Sequence, residues 1–235
     1  DDEKLIFQNP HLQQMSSGNL QTVFTPGKMP DEQLYIPFTY LSYLLESVGF
    51  GLNPPLTHTV NVILHAINAL LVFSLAHLLL RNRYAAFICA LLFAVHPLQA
   101  EAVAWCMGRK DLLSAMFALL ALIQFTYFLN AGSKKPYLYS ILFFFLAVFS
   151  KPSVFVLPLI LPVLCWFCGR RMDKSFFLRL LPFIAISAVA CVINSRLEMN
   201  SFGHEFKYVL FRLAYLPAIV EGWASRIFLF SEPCA

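Results

Sequence analysis

The chain has 235 residues, 59% hydrophobic and 13% charged, with a formal net charge of +4. Soluble domains are about a quarter charged, so this composition excludes an ordinary soluble domain, and so small a net charge gives no ground for a nucleic-acid partner. The long apolar runs are those of membrane helices rather than barrel strands, and the fold class expected is an all-α polytopic membrane helix bundle.

Residues 1–34 are polar and read as a loop, with Asn9-Pro10, Ser16-Ser17-Gly18-Asn19, Pro26-Gly27 and Pro30 as breakers. Tyr35–Val48 is aromatic, amphipathic and too short to span, which predicts an interfacial helix at headgroup level. Residues 1–56 are therefore read as an extracytoplasmic loop with an interfacial helix. A transmembrane bundle is expected over 57–195. Its first span is Thr57–Leu80, about 36 Å long from the helical rise. Tyr84–Val95 follows, then the polar stretch 96–111, a span over Leu112–Leu129, and the apolar runs Tyr137–Phe149, Ser153–Cys168 and Ser175–Ser195. Residues 196–235 are read as an outer polar connector, Arg196–Lys207, and a final apolar segment, Tyr208–Phe230, which either spans or lies on the surface. The chain starts at Asp1 without Met or an apolar leader and stops soon after an apolar run, so both ends are read as those of a fragment.

The connectors 81–83, 130–136 and 169–174 hold seven Lys or Arg and a single acid, Asp173. Short basic loops stay cytoplasmic, which places residues 1–56, 96–111, 150–152 and 196–207 on the extracytoplasmic side. Tyr84–Val95 covers only about 18 Å and Tyr137–Phe149 about 20 Å, against a hydrocarbon core of about 30 Å. His96, Glu101 and Lys151 then sit below the membrane surface, where charge is tolerated only in protein or in a wet cavity. A vestibule open to the outer leaflet is expected.

Several residues can carry chemistry there. Asp1, Asp2 and Glu3 are either a solvated terminus or a general base or metal ligand at the mouth of the vestibule. Glu101, Arg109 and Asp111 either close an internal ion-pair network or leave Arg109 and Lys110 to hold a phosphate. His96 donates to the same phosphate or caps a helix. Lys151 has no acid near it in sequence, so it takes an anion or snorkels to the headgroups. His58, Asn61, His65 and Asn68 share one stripe of the first span, for interhelical hydrogen bonds or to line a donor groove. The six cysteines lie mostly in apolar runs. Cys165-Trp-Phe-Cys168 has neither a second pair nor a nearby His, and no metal site is expected from it.

Four pieces occur in one order: Asp1-Asp2 with Asn9-Pro10; Tyr35-x-Pro-Phe-Thr-x-Leu-Ser; His58-x-x-Asn61-x-x-x-His65-Ala-x-Asn-Ala-Leu-Leu; and Phe93-Ala-x-His-Pro-x-x-x-Glu101-Ala-Val followed by Gly108-Arg-Lys-Asp111-Leu-Leu. Over roughly residues 1–170 the chain resembles the membrane region of the transmembrane and tetratricopeptide-repeat O-mannosyltransferases and their bacterial relatives, within the GT-C glycosyltransferases. The resemblance implies a GT-C-like helix bundle in a bacterial inner membrane or the endoplasmic reticulum membrane, its active site extracytoplasmic. It implies a polyprenyl-phosphate hexose donor, with mannose as the sugar, and a Ser or Thr hydroxyl of a translocated protein as acceptor. Asp1 or Asp2 then matches the family's first-loop base, with Glu101 and Arg109 in second-loop polar positions. Arg109, Lys110, Lys151 and His96 meet the donor phosphate, and His58, Asn61 and His65 line the groove. Partners are the lipid-linked donor, the acceptor protein and membrane lipids. No cofactor is expected, and a divalent metal is not strictly required. The other function classes the residues allow are a membrane scaffold subunit without chemistry and a lipid-linked sugar transporter.

Overall fold

A computed structural model describes residues 2–29 and 34–202. Among them the regular structure is helical. Short pieces come first: a π-helical turn Glu3–Phe7, a 3-10 turn Pro10–Leu12, and α1 (Ser17–Val23). Then follow α2 (Pro37–Phe50), α3 (Pro54–Leu80), α4 (Arg83–Val95), α5 (Leu98–Ala104) and a 3-10 turn Cys106–Gly108. The chain goes on through α6 (Arg109–Ala131), α7 (Lys134–Val148), a 3-10 stretch Pro152–Leu159, α8 (Ile160–Phe167) and α9 (Lys174–Phe202). The final apolar segment, Tyr208–Phe230, lies outside the described residues.

Among the described residues, three helices are long and apolar enough to cross a membrane: Pro54–Leu80, Cys106–Ala131 and Lys174–Leu197. The α4–α5 pair passes the same test together but is bent by 59° at its break. Pro97 lies in that break and cannot supply the backbone N–H a continuous helix requires. The chain is thus an all-α membrane helix bundle and an integral membrane protein.

Local chemistry sets the boundaries. Asn53 Oδ1 accepts the Leu56 N–H at 2.9 Å to start α3, and Asn82 Oδ1 accepts from Tyr84 and Ala85 to start α4. Gly132, at φ +66°, closes α6 in the left-handed conformation that glycine adopts without a Cβ penalty. The apolar run expected over Ser153–Cys168 divides at Pro158, into a 3-10 stretch and α8. The first residues of the polar connector expected at Arg196–Lys207 are helical, because α9 continues to Phe202.

Two cores form. A phenylalanine-rich one joins α6, α7 and α9 through Phe125, Phe144, Phe176 and Phe183, and α8 through Leu161, Leu164 and Cys165, with Phe183 set edge-on to Phe125 at 5.9 Å between centroids. The other corrects the reading of residues 1–34 as plain loop. Ile6, Leu12, Val23 and Met29 are buried with Ile36, Tyr40, Tyr43 and Leu44 of the α2 region and with Cys106 and Met107. Short helical turns placed these side chains on one side although the breakers dominate the composition. α2 straps this region to the bundle: Thr39 Oγ1 donates to the Ser150 carbonyl at 2.9 Å, and the Tyr35 N–H to Asn194 Oδ1 at 2.9 Å.

The polar stripe of α3 is spent on neighbouring backbone. Asn61 Nδ2 donates to the Trp105 carbonyl at 3.0 Å, His65 Nε2 bonds the Ala94 carbonyl at 3.0 Å, and Asn68 Nδ2 donates to the Leu112 carbonyl at 2.9 Å. Interhelical hydrogen bonds of this kind are worth about 1 kcal/mol. Asn68→Leu should therefore cost about 1 kcal/mol of stability in detergent melting and leave any activity near wild type.

Candidate functional site at the helix bend

The 96–111 stretch is not one loop. It is α5, the 3-10 turn and the first turn of α6, folded back on one another. Arg109, Lys110 and Asp111 belong to α6, so the helix expected to begin at Leu112 begins three residues earlier. Side chains one residue apart on a helix point in different directions, and these three accordingly meet different partners.

Arg109 points inward and is 1% exposed. Its guanidinium pairs with Glu46 Oε2 at 2.5 Å, donates from Nε to Asn61 Oδ1 at 3.2 Å and from NH2 to the Thr57 carbonyl at 3.1 Å, and lies 4.3 Å from the Tyr43 ring centroid. Thr57 Oγ1 donates to the other Glu46 oxygen at 2.5 Å. The network ties α2, α3 and α6 together. Burial pushes the Tyr43 phenol far above its ordinary range, and its OH donates to the Cys106 carbonyl at 2.7 Å. Arg109, expected at a donor phosphate, is instead buried away from the cleft, with its Nε and NH2 engaged by Asn61, Glu46 and the Thr57 carbonyl. Arg109 does form an internal ion pair, but with Glu46, an acid outside the Glu101, Arg109 and Asp111 network read from the sequence.

Lys110 and Asp111 turn toward a cleft of about 350 Å³, lined by Leu34, Leu98, Glu101, Ala102, Trp105, Lys110, Asp111 and Lys151. Lys110 Nζ stands 5.2 Å from the Trp105 ring centroid. Lys151, whose sequence neighbours include no acid, forms an ion pair with Asp111 across 40 residues of chain. Both side chains keep about a third of their surface exposed, at 30% and 35%, so the pair orients more than it stabilises. Glu101 is exposed on the wall contributed by α5.

Asp2 binds the 3-10 turn that follows the cleft residue Trp105. The Cys106 N–H donates to its Oδ2 at 3.2 Å and the Met107 N–H to its Oδ1 at 3.1 Å. These two amides directly follow Trp105, whose side chain lines the cleft. Asp1 lies outside the described residues. His96 Nδ1 accepts the Leu98 N–H at 3.2 Å, just before α5. Of the residues expected to line a groove, Asn61 and His65 bond neighbouring backbone, His58 is exposed, and none of the three lines this cleft.

Sequence reading missed Glu46, Thr57 and Tyr43, and the role of Gly108. A signal for Glu46 was present, since an acid in an aromatic interfacial helix needs a partner once buried. Gly108 lies against α5 so closely that a Cβ there would come within 2.3 Å of the Ala102 carbonyl oxygen.

No family model matches the chain, and no solved structure matches it. Curated relatives do. The chain is 42% identical to protein O-mannosyl-transferase TMTC1 of Mus musculus over 99 residues, 42% of this chain and 10% of the relative. It is 43% identical to protein O-mannosyl-transferase TMTC2 of Homo sapiens over 89 residues, 38% of the chain and 11% of the relative. With protein O-mannosyl-transferase TMTC3 of Homo sapiens the identity is 35% over 133 residues, 54% of the chain and 14% of the relative. The matched part thus spans only 10% to 14% of the length of these relatives. Over that part, the chain resembles the protein O-mannosyl-transferases.

Proposed function

We propose that the cleft between α5, the start of α6 and Lys151 is the transfer site of a membrane glycosyltransferase that moves a hexose, mannose by resemblance, from a polyprenyl phosphate to a Ser or Thr hydroxyl of a protein. The observation that supports this reading most is the convergence of Lys110 and Lys151 with Glu101 and Asp111 in one cleft beside a bend between membrane helices. Lys151 has three N–H donors, and its ion pair with Asp111 leaves others for a phosphate oxygen. Trp105 and Leu98 offer an apolar wall beside the cations, suited to a ligand with a charged head and a sugar face.

In this reading the acceptor oxygen attacks the anomeric carbon as the bond from that carbon to the phosphate oxygen breaks. The electron pair leaves on the lipid phosphate, where Lys110 and Lys151 meet it, and the configuration inverts. The hydroxyl proton passes to a carboxylate of the Asp1–Asp2 pair, with Glu101 as the second acid of the site. Phosphate is a competent leaving group when preorganised cations meet its charge. The basic connectors at the other end of the bundle support an extracytoplasmic placement of the cleft.

The test is transfer of radiolabelled hexose from polyprenyl phosphate by purified full-length protein. Lys151→Ala should lower the rate about 100- to 1,000-fold, the scale for loss of one preorganised charge contact, while melting changes by under about 1 kcal/mol because the pair is partly exposed. Asp2→Asn should lower it by about 100-fold or more through loss of the base. Wild-type rates in both variants would overturn the mechanism.

A further inference from the structure

The far end of the α6–α7 hairpin carries a second cationic feature. α6 has 23 residues, so about 34 Å separates the cleft near Lys110 from the turn at Gly132. Around that turn lie two adjoining hollows. One, of about 200 Å³, is lined by Arg170, Arg171, Asp173 and Arg179 over a floor that includes Phe128 and Phe176. The other, of about 320 Å³, shares Phe128, Gly132 and Arg179 and adds Lys134 and Leu138. The cations thus come from the start of α7, the α8–α9 connector and the second turn of α9.

Two of these side chains are held in place. Arg170 NH2 donates to the Asn130 carbonyl at 3.3 Å, and the Arg179 guanidinium lies 5.1 Å from the Phe128 ring centroid. The single acid lining the hollows is already engaged, because Asp173 Oδ1 accepts the Phe176 N–H at 2.8 Å as the cap of α9. Four cations are therefore set against one occupied carboxylate. The neighbouring flank of α7 is apolar and outward-facing, with Leu138 62% and Leu142 50% exposed.

We infer that these joined hollows bind the phosphate headgroup of an anionic glycerophospholipid, in the leaflet opposite the cleft, with its acyl chains along the exposed flank of α7. Arginine forks match phosphate oxygens in pairs. Basic pockets at the ends of membrane helices are suited to such headgroups. The inference uses no part of the sugar-transfer reading.

Native mass spectrometry of the purified full-length protein in detergent tests it, with phosphatidylinositol 4-phosphate, phosphatidylcholine and the soluble headgroup inositol 1,4-bisphosphate as probes. The intact anionic lipid should bind, phosphatidylcholine should not compete, and the headgroup alone should bind far more weakly. Each cation removed should weaken the anionic lipid about fivefold. Arg171→Gln and Lys134→Gln alter exposed side chains, so they report on binding without disturbing the core, and Arg171→Lys should keep most of it. Equal retention of phosphatidylcholine, or wild-type lipid binding in the Arg171→Gln/Lys134→Gln double variant, would overturn the inference. Equal binding of the soluble headgroup would overturn its assignment to a lipid.

Discussion

Arg109→Ala should lower stability by about 3–5 kcal/mol, the scale for removing one partner of a buried ion pair and leaving the other charge stranded. The stranded group is Glu46, whose side chain is 4% exposed. Besides Arg109, it accepts a hydrogen bond from Thr57. Loss of the guanidinium also removes the donors on Asn61 and the Thr57 carbonyl, so α2, α3 and α6 come apart at the end that holds the cleft. Replacing both partners with uncharged groups of similar size is a different matter, since such swaps are often neutral or stabilising. Glu46→Gln/Arg109→Met should therefore regain most of the melting temperature lost in Arg109→Ala, and with it most of the transfer activity. A double variant that melts like wild type yet transfers nothing would instead mean that Arg109 itself meets the donor. An Arg109→Ala variant within about 0.5 kcal/mol of wild type, the range of ordinary surface changes, would contradict the network as described.

Gly108→Ala should be nearly as damaging, through sterics alone. The added Cβ would lie 2.3 Å from the Ala102 carbonyl oxygen, 2.9 Å from its carbon and 3.0 Å from its Cα. All three atoms are backbone of α5 and cannot rotate aside. Relief requires α5 to move by about 1 Å, and α5 carries Leu98, Glu101 and Ala102 of the cleft wall. Misplacement on that scale costs about 100-fold in rate, with a stability loss of about 1–3 kcal/mol for overpacking. Gly49→Ala is the control, because a Cβ there meets nothing within 4 Å, and it should leave both quantities unchanged. Wild-type transfer by Gly108→Ala would show that α5 does not set the geometry of the site.

The membrane architecture was legible because hydrocarbon length and apolar periodicity constrain it directly. The boundaries at Leu80, Val95 and Ala131 follow from caps and breakers present in the sequence: Asn82, Pro97 and Gly132. The polar connector 96–111 was legible as unusual, since it holds more charge than a turn needs. What was not legible is which charge faces which. Arg109 and Lys110 are adjacent in sequence and both expected at a phosphate, but a single residue step along the helix sends the first into the core and the second into the cleft. The Lys151–Asp111 pair and the Glu46–Arg109 pair join residues 40 and 63 positions apart, and nothing local encodes such pairings. The N-terminal segment reads as loop because turns of three to seven residues are too short to show a helical period, although Ile6 and Leu12 are apolar enough to be core.

The most direct test of the central proposal is where the donor sits. A polyprenyl-phosphate hexose carrying a photoreactive diazirine near its phosphate, activated on the full-length protein and mapped by peptide mass spectrometry, should label residues within 98–111 and 150–152 and should lose that labelling in Lys110→Ala/Lys151→Ala. Labelling confined to α3 along His58 and His65, or unchanged in the double variant, would contradict the placement of sugar transfer in this cleft.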